Sequence, residues 1–308
     1  MSAAAPSRSE VGPRSSTGRL GVVIVNYASH DLLEQHLRLG EHLVVVVDSF
    51  STTAEQEALR EQAGRRGFDL LLRDDNAGFG AAANQGAAHA IAAGCDVVLL
   101  LNPDAHAEPE VLAALADHVR ADPHCAVTPR IDRPDGRVWF RGGELDLRTG
   151  RTHGADAPVQ PWLTAACLAV HRDLWLQVGG FDPGYFMYWE DVDLSHRMRA
   201  AGARLIVRQD LVAVHEVGGT QSGGRAKSAM YYDRNCRGRL RFAATHLPPR
   251  TVLRWVLGAP AYARAVVLRG GRRQLTRPDR TVLPAVRGTV GGLALALPAI
   301  ARGVRRGR

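Results

Sequence analysis

A chain of 308 residues with 45% hydrophobic and 23% charged content can bury a real core, which excludes wholesale disorder. Its net charge of +8 is unevenly placed: residues 221–308 hold 19 of the 39 Lys and Arg but only Asp233 and Asp279 among the acids, a local +17 against −9 for residues 1–220. An acidic body argues against a nucleic-acid-binding core and leaves the tail as the part that would seek a polyanion. Cys95, Cys125, Cys167 and Cys236 contain no CxxC pair, which argues against a zinc ribbon or a disulfide framework. They are expected to be buried thiols in a reducing compartment.

Residues 1–19, rich in Ser, Ala, Arg and Pro without an apolar run, are expected to be a disordered leader. Residues 20–27 (LGVVIVNY) form a β-branched run that predicts a buried strand, and residues 30–39 carry leucines at roughly helical spacing. A second apolar strand covers 43–47 and ends at Asp48; residues 51–64 open with Ser and Thr capping candidates and continue as a helix. A third strand at 68–72 leads into the turn Asn76-Ala-Gly-Phe-Gly80, an Ala-rich helix at 81–93, and a fourth strand at 96–101 ending in Asn102-Pro-Asp104. This alternation predicts an open α/β sheet with parallel strands.

Beyond Thr128 the pattern loosens. Residues 133–156 suggest a hairpin, 164–170 are small and apolar, and 172–179 form a short helix stopped by glycine. A helix is expected at 190–201 with Gly202 as its stop, then two short strands at 205–207 and 211–214 leading to His215. Apolar stretches punctuated by arginine follow at 250–268 and 281–300; they suit either helices packed on the body or an interfacial membrane anchor.

Ligands of such sheets bind beyond the carboxyl ends of the strands, which singles out Asn26, Asp48, Asn76 and Asn102 to Asp104. The glycine turn could face a phosphate with a helix N-terminus or be purely structural; it follows the third strand, not the first, which disfavours a dinucleotide fingerprint. Asp104 can hold a divalent cation on a diphosphate or simply complete a turn. Glu190-Asp-Val-Asp193 opens a helix, where capping is the bland alternative, yet Phe186-Met-Tyr-Trp189 before it suits a sugar-binding wall beside a catalytic carboxylate. His215 could be a ligand or a core histidine. A helix N-terminus should keep Asp191 ionised and ready to accept a proton.

In order, Val22-Val-Ile-Val-Asn-Tyr27, Val44-Val-Val-Val-Asp48, Asn76-x-Gly-Phe-Gly80 with Asn84, Leu99-Leu-Leu-Asn-Pro-Asp-Ala105 and Gly179-Gly-Phe-Asp-Pro-Gly-Tyr-Phe-Met-Tyr-Trp-Glu-Asp-Val-Asp-Leu194 resemble a family-2 glycosyltransferase of the GT-A fold, rhamnosyltransferase-like branch. The resemblance covers about residues 20–245 and implies a Rossmann-like, mostly parallel α/β sheet, with 246–308 as a basic amphipathic helical tail. It implies nucleotide-sugar contacts at Asn26, Asp48, Asn76, Gly78, Asn84, Asn102 and Trp189. Asp104 and His215 would bind Mg2+ or Mn2+, Asp191 would be the base, and Glu190 would orient the acceptor. The chain departs from the family pattern in having a single aspartate in Asn102-Pro-Asp104, which weakens the metal site or makes it rely on His215, and Ser-Phe-Ser after Asp48.

The expected reaction is inverting, metal-assisted transfer of a sugar, first choice rhamnose from dTDP-rhamnose, to a saccharide, lipid-linked or small-molecule acceptor. The expected location is the cytoplasm, peripherally on the inner face of the membrane, with anionic lipid and no specific nucleic acid as partner. The alternatives are a catalytically inactive nucleotide-sugar-binding module, a Rossmann-type oxidoreductase or methyltransferase, and a polyanion-binding scaffold.

Overall fold

The computed structural model describes residues 18–36, 42–156, 158–216, 227–269, 271 and 275–306. The leader expected at residues 1–19 therefore lies outside the described residues except for Gly18 and Arg19, and so do the last three positions of the helix expected at 30–39. Strands β1 (Arg19–Asn26), β2 (Leu43–Asp48), β3 (Asp69–Leu72) and β4 (Cys95–Leu101) alternate with helices α1 (His30–His36), α2 (Thr53–Arg66) and α3 (Phe79–Ala92). Their all-apolar cores need a sheet covered on both faces, and the four strands pair in parallel in the order β3-β2-β1-β4. Along β1 the side chains alternate: Leu20, Val22 and Ile24 meet Leu59 of α2 on one face, while Val23 meets Ala83 and Ala87 of α3 on the other.

The second half is mixed. After the two-residue strand β5 (Ala105–His106) and α4 (Pro109–Ala121) come β6 (Cys125–Asp132) and β7 (Val138–Phe140). A small antiparallel sheet follows from β8 (Gly143–Asp146), β9 (Arg151–Gly154) and β10 (Pro161–Trp162), with β8 and β9 as the hairpin. Strand β11 (Cys167–His171) runs antiparallel between β4 and β6, so it starts at the ligand edge and ends at the opposite one. Helix α5 (Arg172–Val178) and a loop lead the chain to α6 (Glu190–Ala200). The two short strands expected near 205 and 211 are one strand, β12 (Arg204–His215): a register shift between Arg208 and Val212 accommodates the polar interruption, and the strand runs parallel to β6 on both sides of it.

Helices α7 (Ala229–His246), α8 (Pro249–Leu257), α9 (Ala259–Arg269) and α10 (Val282–Arg306) complete the chain. They build a third core in which Val252, Trp255, Tyr262 and Val266 join Leu145, Tyr185, Trp189 and Val192. The division expected at 245/246 thus falls at the end of α7, and side chains on both sides of it share this core. Buried Arg239 ties the assembly together, donating to the carbonyls of Trp255 (2.9 Å) and Thr149 (2.6 Å) with its guanidinium over the rings of Trp255 and Tyr262. Helix α10 turns small residues inward: a Cβ at Gly288 would lie 2.0 Å from the Asp233 carbonyl oxygen, so only glycine permits this approach to α7. All four cysteines are buried and unpaired, and burial pushes the thiols of Cys125 and Cys167 up to about 12.

Candidate active site

Parallel register places Asn26 beside Asp48 at the carboxyl edge of β1 and β2. The two are fully buried and bonded to each other: Asn26 Nδ2 donates to Asp48 Oδ1 (3.0 Å) and to Glu55 Oε1 (2.9 Å), and Gln56 Nε2 donates to Asp48 Oδ2 (3.1 Å). Glu55 Oε1 also receives the backbone N–H groups of Ser29 and His30 at 2.8 and 2.9 Å. Burial raises the Asp48 carboxyl above its ordinary value. Burial acts the same way on Glu55, but its hydrogen bonds from Asn26 and His30 together outweigh it and hold the group low. The network is a rigid floor, and the exposed groups beside it are the rings of Tyr27 (47%) and Phe50 (37%). Sequence reading missed Glu55, although it stands three residues after the N-cap Thr52, a capping-box spacing.

The glycine turn and the acid loop are locked by their backbones. Asn76 Oδ1 accepts from the Gly78 N–H (3.0 Å), Gly78 has φ +94°, and the Phe79 N–H donates to the Phe186 carbonyl (3.0 Å). Asn84 lies one turn on in α3; its Nδ2 donates to the Phe181 carbonyl (2.9 Å) and its Oδ1 accepts the Phe181 N–H (2.8 Å). Both polar ends of Asn84 are therefore spent on positioning the loop.

The loop ends with Tyr188 and Trp189 in the left-handed region, φ 66° and 76°, a conformation that costs of order 1–3 kcal/mol per residue and clusters at functional sites. The structure corrects the expectation for Trp189: its ring is buried against Phe242 (5.7 Å) and Trp255 (6.2 Å), so it supports the loop from behind and forms no sugar-binding wall. Glu190 and Asp191 open α6. Burial outweighs the backbone hydrogen bonds at the helix N-terminus and raises the Asp191 carboxyl above its ordinary value, which makes it a stronger base than an ordinary aspartate. Glu190 rises as well, through burial and then the neighbouring Asp191 charge, and its Oε2 is buried with no hydrogen-bond partner. Asp193 is a structural anchor: His246 Nε2 lies 2.6 Å from its Oδ1, and Arg197 Nε donates to its Oδ2 (2.7 Å). Burial would raise Asp193 too, but those partners hold it low.

Asp104 and His215 are brought together by pairing of β5 with the end of β12, which sets His215 opposite Ala105. His215 Nε2 lies 2.9 Å from Asp104 Oδ1, both side chains are buried, and the Glu216 N–H donates to the Asp104 carbonyl (2.8 Å). The Asn102 carbonyl closes the intervening turn on the Ala105 N–H (3.0 Å). A carboxylate and an imidazole suit Mn2+ better than Mg2+, which prefers an all-oxygen set. The pair fits a divalent ion whose other ligands come from phosphate and water, and among the described residues no group of three or more His, Cys, Asp or Glu is arranged to hold a metal ion by itself.

Residues 24–175 match the family described as Glycosyl transferase family 2. The chain carries a glycosyl transferase family 2 domain. Its relatives include the N-acetylglucosaminyl-diphospho-decaprenol L-rhamnosyltransferase of Mycobacterium tuberculosis, 33% identical over 190 residues, which are 52% of this chain and 61% of that protein. The match thus spans about three fifths of the mycobacterial protein's length. The low-salt glycan biosynthesis hexosyltransferase Agl10 of Haloferax volcanii is 24% identical over 70% of this chain and 72% of its own. Among solved structures, the mannosyltransferase PcManGT of Pyrobaculum calidifontis, in complex with GDP-Man and Mn2+, aligns over 93% of this chain and 87% of its own with a TM-score of 0.54 at 20% identity. The architecture is therefore GT-A-like, a mostly parallel sheet with helices on both faces. In this glycosyltransferase fold Asn26 and Asp48, Asp104 and His215, and the acid loop stand on the edge where the parallel strands end.

Proposed function

We propose that the chain is an inverting glycosyltransferase that moves rhamnose from dTDP-rhamnose to a hydroxyl of a lipid-linked saccharide, working peripherally at the inner face of a membrane. One observation carries the reading: Glu190 and Asp191 stand on a strained loop whose backbone is bonded to the glycine turn at Phe79 and clamped by Asn84. Pre-organised carboxylates of this kind suit proton removal from an attacking hydroxyl. The 33% identity to a protein named as a rhamnosyltransferase supports the choice of sugar and of acceptor class.

Asp191, with its carboxyl raised toward neutrality, accepts the acceptor proton as the oxygen attacks the anomeric carbon and the nucleoside diphosphate departs from the opposite face. Glu190, whose carboxyl burial also raises, orients the acceptor through its unpartnered Oε2. The exposed rings of Tyr27 and Phe50 offer stacking surface for the nucleobase above the Asn26–Asp48 floor. Asp104 and His215 would hold Mn2+ or Mg2+, which when bound neutralises charge on the leaving diphosphate. Nucleotide release from a panel of purified sugar nucleotides, with and without a polyprenyl-linked saccharide, tests the proposal. Turnover of dTDP-rhamnose is expected; release from none of the donors would sink it.

A further inference from the structure

We propose that the groove between α7 and α10 seats the diphosphate of a lipid-linked acceptor, a site that rests on the glycosyltransferase reading above. The groove encloses about 470 Å³ and is lined by Asp233, Arg234, Arg237, Arg287, Val290 and Gly291. Its shape comes from the glycines of α10. Gly288 lets that helix approach α7, and a Cβ at Gly291 would stand 3.6 Å from Arg237 Cδ, so the arginine lies along a bare strip of helix.

Charge selects the ligand. Asp233 is buried and holds two of the three guanidinium groups, Arg287 Nε at 2.5 Å and Arg234 Nε at 3.9 Å. Arg237 is exposed and has no acidic partner among the described residues. Three cations around one anion leave a net positive cleft, and guanidinium forks match phosphate oxygens in pairs.

The groove leads both ways that such an acceptor needs. Arg234 and Arg237 also line the adjoining cleft formed by Gly184 to Tyr188 and Arg241, a segment that ends two residues before Glu190. Arg234 lies over the Phe186 ring at 5.0 Å, and the Phe186 carbonyl holds the glycine turn. In the other direction, Val290 belongs to an outward stripe on α10 with Leu283 (64% exposed), Val286 and Leu297. These residues share one face at spacings of three, four and seven, an apolar face turned to solvent on a helix whose other side brings Ala285, Gly288, Gly292 and Ala296 against the body. A saccharide diphosphate in the groove would point its sugar toward the acids and its lipid along this stripe.

The test uses full-length protein with phosphatidylcholine vesicles carrying decaprenyl diphosphate, vesicles of equal charge carrying phosphatidylglycerol, and inorganic pyrophosphate in solution. Flotation should favour the decaprenyl diphosphate vesicles, and pyrophosphate should compete. Arg237→Gln should weaken that binding about fivefold to tenfold without changing Tm, and Arg250→Gln on α8 should not. Equal binding to both anionic vesicles would reduce the site to a general anionic surface and overturn the proposal. Undiminished binding by Arg237→Gln would overturn it too. Donor turnover by the wild type, read on the same preparation, reports separately on the glycosyltransferase reading.

Discussion

The carboxamide of Asn84 grips the Phe181 peptide groups from both sides, donating to the carbonyl at 2.9 Å and accepting the N–H at 2.8 Å. The grip couples α3 to the loop that carries Glu190 and Asp191. Asn84→Ala leaves a partly buried donor and acceptor unpaired, which costs about 1–3 kcal/mol. We predict a lower denaturation midpoint and a fall in kcat that exceeds any change in donor KM. Unchanged stability in a urea titration would show that the clamp carries no load.

The raised carboxyls of Glu190 and Asp191 give the pH profile a sign. Transfer needs Asp191 ionised, so kcat should rise with pH through a midpoint above the ordinary aspartate range. Asp191→Asn should abolish transfer while leaving donor binding intact. Glu190→Gln should lower kcat and leave transfer measurable, because Asp191 keeps the base role. Retained transfer by Asp191→Asn, with loss in Glu190→Gln, would reverse the two roles.

The same shifts bear on folding. A buried acid whose folded pKa is raised binds protons more tightly folded than unfolded, so its stabilising contribution falls as pH rises above the unfolded value and is gone above the folded one. At neutral pH, Asp191→Asn removes this cost and should raise Tm by roughly 2–6 °C. Thermal scans at acid and neutral pH measure it: the gap between variant and wild type should close as pH falls.

At the strand edge, Asp104→Ala and His215→Ala should each lower turnover by about a hundredfold or more and weaken metal-dependent binding of the nucleoside diphosphate. Binding calorimetry with Mn2+ and dTDP reads this without turnover. Wild-type rates in excess chelator, together with full activity of the Asp104 variant, would remove the metal from the scheme.

Gly78 is fixed by geometry as well as by φ. A Cβ there would lie 2.2 Å from the Phe186 carbonyl oxygen. Gly78→Ala should therefore break the Phe79–Phe186 hydrogen bond, destabilise the fold by about 2 kcal/mol or more, and reduce kcat. An alanine variant with wild-type kcat would show that the contact is dispensable.

Much of this was legible before the structure, for physical reasons that differ along the chain. Strands β1, β2 and β4 are unbroken apolar runs because both faces of the sheet are covered. Strand β6 (CAVTPRID) hid behind Pro129 and Arg130, which lie opposite the register shift of β12. Helix α7 hid because buried Arg239 and the close-packed Gly238 occupy places where a periodic pattern needs apolar side chains. In the site, residue types at the strand ends pointed to the edge, while the partnerships did not show. Nothing in the spacing of Asn84 and Phe181, or of Asp193 and His246, announces that they meet.

The core shared by the acid loop and the last four helices governs how this protein can be recombined. Trp189 is wedged against Phe242 and Trp255, so the segment bearing Glu190 and Asp191 and the helices from Ala229 onward form one heritable block. A chimera joined near residue 175, where the family match ends, would exchange Trp189, Phe242 and Trp255 together and keep their contacts. A junction at 246 would divide the block, and so would a truncation meant to release the tail.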